Sequence, residues 1–287
     1  ASTTNGENTS SGNHNGRFGG TLLFGSELKA LRAHPAFRGE VDRDALTLYV
    51  RHGYVPAPFS IYRGVAKLAP GCIAEFARGS MEPRLERYWS AHEMALAGLA
   101  DPLRGSESEM VGALDALLRQ AVRGQMEADV PLGAFLSGGI DSSTVVALMQ
   151  AQSSRPVHTF TIGFNEAEYN EAEHAKAIAA HLGTDHTELY VTPEEARGVI
   201  PRLPQIYCEP FADSSQVPTY LVSQLARRHV TVALSGDAGD ELFGGYNRYL
   251  IAARLWRRLS AVPGALRGLA AGALRALPAA AWDFALK

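Results

Sequence analysis

The chain has 287 residues, 46% of them hydrophobic, which is enough for one large or two modest domains with real cores. Its formal net charge of -3, from 27 basic and 30 acidic residues, supplies neither a basic field for nucleic acid nor an acidic tail. No apolar run reaches the length of a membrane span and no basic-then-apolar leader opens the chain, so the sequence reads as soluble.

The first stretch, "ASTTNGENTSSGNHNG", has almost nothing to bury, so residues 1–18 are expected to be disordered or foreign to the fold. Asn8-Thr9-Ser10 matches a glycosylation sequon and is read as chance in the absence of a secretion signal. The chain begins at Ala1 without a methionine, and sequence missing upstream is the expectation. Residues 21–26, "TLLFGS", read as a strand, followed by a short helix "ELKALRAH" that Pro35 ends. A second helix fits Asp42 to Arg51, with Asp42 as its cap. After the loop "GYVPAPFS", the pieces "IYRGVAKLAPG", "CIAEFARG" and "PRLERYW" predict antiparallel strands and hairpins. Cys72 and Cys208 stand far apart without metal-type spacing, which suggests neither a disulfide framework nor a zinc site and fits a cytoplasmic setting.

Between residues 90 and 107 strand alternation is lost and Gly, Asp, Pro and Ser accumulate, which places a domain boundary there. Beyond it the pattern alternates. A helix fits 107–126, then come strand "VPLGAFLS", a helix from Asp141, strand "VHTFTIGF", a helix from Asn170 and strand "HTELYV". Helices from Pro193 and Ser215, strand "VTVALS" and further helices complete the chain. Apolar strands separated by helices specify a parallel sheet covered on both faces.

Ligands of such sheets sit outside the carboxyl ends of the strands, where loops lead into helices. "FLSGGIDSSTVV", residues 135–146, occupies such a place. Its glycines allow a tight turn with converging N–H groups, and the following helix adds its positive end, which together make a phosphate cradle. The hydroxyls of Ser137, Ser142 and Ser143 can donate to the same oxygens. Asp141 would repel phosphate unless it holds a cation, and Mg2+ resolves that conflict. An isolated "SGG" would read as a turn capping a helix. The lysine of a Walker loop and the G-x-G-x-x-G dinucleotide fingerprint are both absent.

The string resembles the S-G-G-x-D-S pyrophosphate loop of the ATP pyrophosphatase superfamily. "ALSGDAGDELFGGYNRY", residues 233–249, is similar to the signature of the asparagine synthetase family, again after a strand. "TFTIGF", "YNEAEHAKAIAAHLGTDHTELYV" and "EPFADSSQVPTYLVSQLARR" fit the same family in order. Earlier, "GGTLLFGSELKALRAHPAF" and "LTLYVRHGYVPAPFSIYRGVAKLAPG" resemble the late part of that family's glutamine amidotransferase domain. The resemblance runs from about Gly19 to about Arg258. It implies an α/β fold: a parallel-sheet ATP pyrophosphatase (adenine nucleotide alpha hydrolase-like) domain over 107–287, preceded over 19–92 by the β-rich tail of an N-terminal nucleophile-type glutaminase domain.

The implied chemistry uses ATP to adenylate the side-chain carboxylate of aspartate, releasing pyrophosphate, after which ammonia from glutamine displaces AMP. The resemblance assigns Ser137, Gly138, Gly139, Asp141, Ser142 and Ser143 to the pyrophosphate loop. It places Leu136, Ile162 and Gly236 against adenosine with Ser235 beside them, and makes Asp141 and Asp240 the Mg2+ ligands, provided that their strands are close in the sheet. Asp237 stands where many relatives carry a glutamate and is the expected catalytic acid group. On their own, Ile162 reads as core, Ser235-Gly236 as a strand-ending turn and Glu241 as a first-turn helix residue. The implied partners are small molecules (ATP, aspartate, glutamine or ammonia), with a homodimer allowed and neither nucleic acid nor membrane expected.

Glutamine hydrolysis in the resembled family depends on a cysteine at the mature N-terminus, where this chain has Ala1, so it is not expected to hydrolyse glutamine. The family's later part, with a lysine that serves adenylation, is also expected to be missing, which reads as a fragment truncated at both ends. Two other readings use the same loops: a β-lactam synthetase-like or other amide-forming enzyme with a different carboxylate, and a non-catalytic remnant.

Overall fold

A computed structural model describes residues 21–164 and 170–276; the readings placed on 1–20, 165–169 and 277–287, among them the polar first stretch and the end of the helical tail, lie outside the described residues. The chain divides into two compact units. One runs up to Gly112 and takes in Pro193–Val217; the other comprises Ala113–Thr192 and continues from Pro218.

The first unit opens with α1 (Leu28–Arg32) and α2 (Arg43–His52). Asp42 caps α2 as expected: its Oδ1 accepts from the amides of Asp44 and Ala45 at 2.9 and 3.2 Å, satisfying first-turn donors that the helix itself cannot. Ala45, Val55 and Ile61 form a small core on which Leu28, Tyr49 and Tyr62 pack. Strands β1 (Cys72–Glu75) and β2 (Arg84–Arg87) pair antiparallel, with Glu75 opposite Arg84 and their side chains bonded at 3.1 Å.

Three local expectations fail. Residues 21–25 form no strand, because a strand exists only against a partner and these pair with nothing among the described residues; Phe24 is 89% exposed. The stretch 61–71 yields only an isolated bridge between Val41 and Tyr62, interrupted by left-handed turns at Gly64 and Gly71. Within 90–107 lies a helix that was not anticipated, α3 (Ala91–Ala100), started by Ser90 accepting from the Glu93 amide at 3.3 Å.

Next in chain order come α4 (Glu107–Gln125), β3 (Leu132–Phe135), α5 (Ile140–Gln152), β4 (His158–Phe164), α6 (Ala172–Leu182) and β5 (Asp185–Val191). The excursion into the first unit carries α7 (Pro193–Val199), a single 3-10 turn at Ile200–Arg202 and α8 (Leu203–Ile206). In the loop after it, Glu209 accepts from the Ile61 amide at 2.6 Å and pairs with Lys67, whose ammonium also donates to the Val55 carbonyl at 2.6 Å. The Ala212 amide donates to the Gly53 carbonyl at 2.6 Å. The chain then forms α9 (Gln216–Ala226), β6 (Val232–Leu234), α10 (Gly239–Phe243), α11 (Asn247–Ser260) and α12 (Gly264–Ala276).

The second unit is built on a four-stranded sheet in the order β5-β4-β3-β6, parallel throughout. Side chains alternate across its two faces. Ala134 and Leu136 pack with Val122 of α4, Val146 and Met149 of α5, and Ala175 and Ala179 of α6. Phe135, Phe160 and Leu189 gather with Leu225, Ala226 and Val222 of α9. Helices therefore cover both faces, which is why the strands are apolar in consecutive positions. No helix among the described residues is long and apolar enough to cross a membrane.

Candidate active site

Strand β3 lies between β4 and β6, pairing Gly133 with His158 on one side and with Ala233 on the other. The loop after β3 (Ser137–Gly139) and the loop after β6 (Ser235–Ala238) consequently leave the same edge of the sheet side by side, as parallel neighbours must. The condition placed on Asp141 and Asp240, that their strands be close, is met.

The first loop turns sharply. Gly138 has φ 82°, and a Cβ there would stand 2.8 Å from the His174 Cβ and 3.0 Å from the Ala175 nitrogen of α6, so this position requires glycine on two counts. Gly139 is the N-cap of α5 and has no side chain with which to cap its first-turn amides. Ser142 is buried at 7% exposure, whereas Ser137 is exposed and Ser143 half-buried. The Ser143 hydroxyl donates to the Gly139 carbonyl at 2.6 Å, and the Gly139 amide donates to Ser137 Oγ at 3.3 Å. The sequence placed all three serines in one cradle; in the structure their accessibility divides them.

The second loop packs onto the first turn of α5. A Cβ on Gly236 would stand 2.6 Å from the Ser142 nitrogen, and one on Gly239 would collide with the Asp141 carboxyl group. Gly239 was not among the expected site residues, and only the proximity of α5 reveals its role. The loop is tied locally: Ser235 Oγ donates to Asp237 Oδ2 at 2.9 Å, and the Gly239 amide donates to the Gly236 carbonyl at 3.2 Å. Ala238 bridges into α10 with φ 74°, a left-handed conformation that a Cβ disfavours. Strain of this kind concentrates at functional loops.

Of the expected adenosine contacts, Leu136 sits at 1% exposure with its side chain committed to the core, and its amide donates to the Phe160 carbonyl at 2.9 Å. What it can offer a ligand is its carbonyl. Ile162 is half-buried toward the carboxyl end of β4, on the strand beside β3. Asp141 is half-buried against Gly239, and Asp240 follows that glycine directly, its carboxylate against Gly245. Among the described residues no three or more His, Cys, Asp or Glu side chains enclose a metal position. Mg2+ bound with phosphates ordinarily takes one or two carboxylates and leaves its other positions to phosphate and water, so the hard oxygens of Asp141 and Asp240 fit it in donor type and number. Beyond them, the Tyr246 hydroxyl donates to Glu241 Oε1 at 2.8 Å; this bond to a carboxylate raises the phenol above its ordinary pKa. Arg248 stacks on the Tyr246 ring at 4.0 Å.

Comparison with known proteins gives this geometry a family. The asparagine synthase family model matches residues 113–284, and the glutamine amidotransferase domain model matches 14–89. A protein of Methanocaldococcus jannaschii named for asparagine synthetase [glutamine-hydrolyzing] 2 is 38% identical over 235 residues, covering 81% of this chain and 44% of its own length. Asparagine synthetase [glutamine-hydrolyzing] 1 of Bacillus subtilis is 35% identical over 230 residues, covering 79% of this chain and 34% of its own length. The chain thus spans less than half the length of each of these relatives. With more than half of its residues matched by the family model, and with both glycine loops on adjacent strands, the chain belongs to the asparagine synthase family.

Proposed function

We propose that this chain carries the nucleotide-binding half of an asparagine synthetase, over 107–287, together with the final part of its glutaminase domain over 19–92. One observation supports this reading most: Gly236, and Gly239 at the start of α10, are pressed onto Ser142 and Asp141 in the first turn of α5, so that the two glycine turns and the aspartates that follow them lie side by side.

A carboxylate is a poor electrophile, and adenylation supplies it with a leaving group. In the proposed reaction an oxygen of the aspartate side-chain carboxylate bonds to the α-phosphorus of ATP, and pyrophosphate leaves. Ammonia, released from glutamine in the whole protein, then bonds to the acyl carbon, and AMP leaves with the electrons of the acyl–oxygen bond. The first loop holds the departing pyrophosphate with α5 amides and serine hydroxyls, where the positive end of the helix favours anions. Leu136, Ile162, Ser235 and Gly236 flank the nucleoside. Asp141 and Asp240 would hold Mg2+, which when bound offsets the charge of the triphosphate. Asp237, whose Oδ2 accepts from Ser235 Oγ, takes the proton that the attacking ammonia must lose. Catalysis of this kind rests on positioning and charge neutralisation. We assign the protein to a cytoplasmic setting, in keeping with its unpaired cysteines, and its partners to the small molecules named.

The test is ATP binding in the presence of Mg2+, by calorimetry and by the rise in melting temperature that a ligand confers by mass action. Asp141→Ala is expected to lose most of that response. Equal and weak responses in both proteins would sink the reading.

A further inference from the structure

We propose that Gly245 is a positioning residue for Asp240: the side chain it lacks leaves the place in which the Asp240 carboxylate lies, and any larger residue there moves that carboxylate. The inference rests on the nucleotide-site reading above and extends it to a residue that reading does not use.

Two glycines follow α10, and they are glycine for different reasons. Gly244 is the C-cap, with φ 71° and its amide donating to the Asp240 carbonyl, a left-handed helix end of the kind glycine favours. A Cβ on Gly244 would meet only Tyr249 Cδ2, at 4.0 Å, so conformation selects glycine there and space does not. Gly245 lies outside the left-handed region, and its backbone admits a side chain. Its amide also donates to the Asp240 carbonyl, at 3.0 Å, which folds Gly245 back over Asp240. A Cβ on Gly245 would collide with Asp240 Oδ1 and stand 2.9 Å from its Cγ and 3.2 Å from its Cα. The Asp240 side chain is therefore what excludes a side chain at 245.

The carboxylate can turn about its own χ1, whereas the backbone beside it is tied by the Leu242 amide to the Ala238 carbonyl and by the Gly245 amide to Asp240. An added methyl group thus displaces the carboxylate before it displaces the helix. The hydroxyl side chains of residues 235–246 are committed to other carboxylates: Ser235 donates to Asp237 Oδ2 at 2.9 Å and Tyr246 to Glu241 Oε1 at 2.8 Å. They leave the half-buried Asp240 carboxylate its lone pairs, and contact with Gly245 sets where those lone pairs lie. Neighbours that orient a metal ligand in this way are worth about 10–100-fold in affinity.

The experiment uses the full 287-residue chain as wild type, Gly245→Ala, Asp240→Ala and the double variant. ATP affinity is measured by calorimetry with Mg2+ and again with a chelator, and the ligand-free Gly245→Ala chain is crystallised. Gly245→Ala is expected to melt within about 3 °C of wild type and to bind ATP with Mg2+ about 10–100-fold more weakly. Its affinity in chelator should equal that of wild type, and adding it to Asp240→Ala should cost nothing further. The crystals should show the carboxylate turned from its place over an unmoved backbone. Wild-type affinity with Mg2+, an equal loss in chelator, a further loss in the Asp240→Ala background, or failure of Gly245→Ala to fold would each overturn the proposal. If wild type and Asp240→Ala bind ATP equally weakly with Mg2+, the nucleotide-site reading fails instead, while the crystals still decide whether residue 245 places the carboxylate.

Discussion

Gly236 lies against the first turn of α5 so closely that a Cβ on it would stand 2.6 Å from the Ser142 nitrogen and 2.9 Å from the Asp141 carbonyl carbon. All the atoms in the way are backbone, so no rotamer change relieves the contact. Gly236→Ala is expected to separate the two loops, costing about 1–3 kcal/mol of stability by overpacking and removing the nucleotide-dependent rise in melting temperature. Calorimetry with and without ATP and Mg2+ checks both effects. A variant that keeps the full response would show that the loops need not touch.

Ala238 makes the opposite prediction. Its φ of 74° strains an L residue, and glycine adopts that conformation freely. Ala238→Gly should stabilise the chain by about 1 kcal/mol, a shift of roughly 2–4 °C in Tm. A lower Tm would mean that the Ala238 methyl makes contacts worth more than the strain.

Glu209 and Lys67 should be mutually dependent. The Glu209 side chain is 14% exposed and accepts both the Ile61 amide and the Lys67 ammonium, which is 34% exposed. Glu209→Ala strands the Ile61 amide and leaves the Lys67 ammonium only the Val55 carbonyl, and is expected to cost about 1–3 kcal/mol. Lys67→Met in the Glu209→Ala background should add less than Lys67→Met alone, because the charge partner is already gone. Urea unfolding of the four proteins reads the coupling; simple additivity would refute it.

His186 predicts an acid-side loss of stability. Its Nδ1 lies 2.9 Å from Thr159 Oγ1, and its Nε2 is buried without a hydrogen-bond partner among the described residues. Burial lowers its pKa from 6.5, opposed by the Glu188 carboxylate and assisted by the Lys176 ammonium. The folded chain therefore keeps the ring neutral where the unfolded chain already binds a proton. The resulting stability is complete above about pH 6.5 and is lost as pH falls from there through the folded value. Melting curves between pH 7.5 and 5.5 should show a steeper decline for wild type than for His186→Asn. Parallel declines would exclude His186 as the source.

Much of this was legible locally. The Asp42 cap, the apolar strands and the glycine loops before helices depend on neighbours a few residues away, and the side chains themselves carry the signal. The spacing of Ser90 and Glu93 is that of a capping box as well, and attention to it would have found α3. The supposed strand at 21–26 shows the limit, because strand character in a segment is realised only when another strand offers hydrogen bonds.

That a parallel sheet would carry two glycine-rich acidic loops follows from the sequence, since hydrophobic periodicity and turn residues act over short range. Long-range packing set the rest: β6 lies beside β3, Gly239 meets Asp141, Pro193–Val217 packs with the first unit and Ser142 turns inward. Those outcomes depend on contacts between residues far apart in the chain, which are set by packing and hydrogen-bond satisfaction in the assembled core and leave little trace in any local pattern.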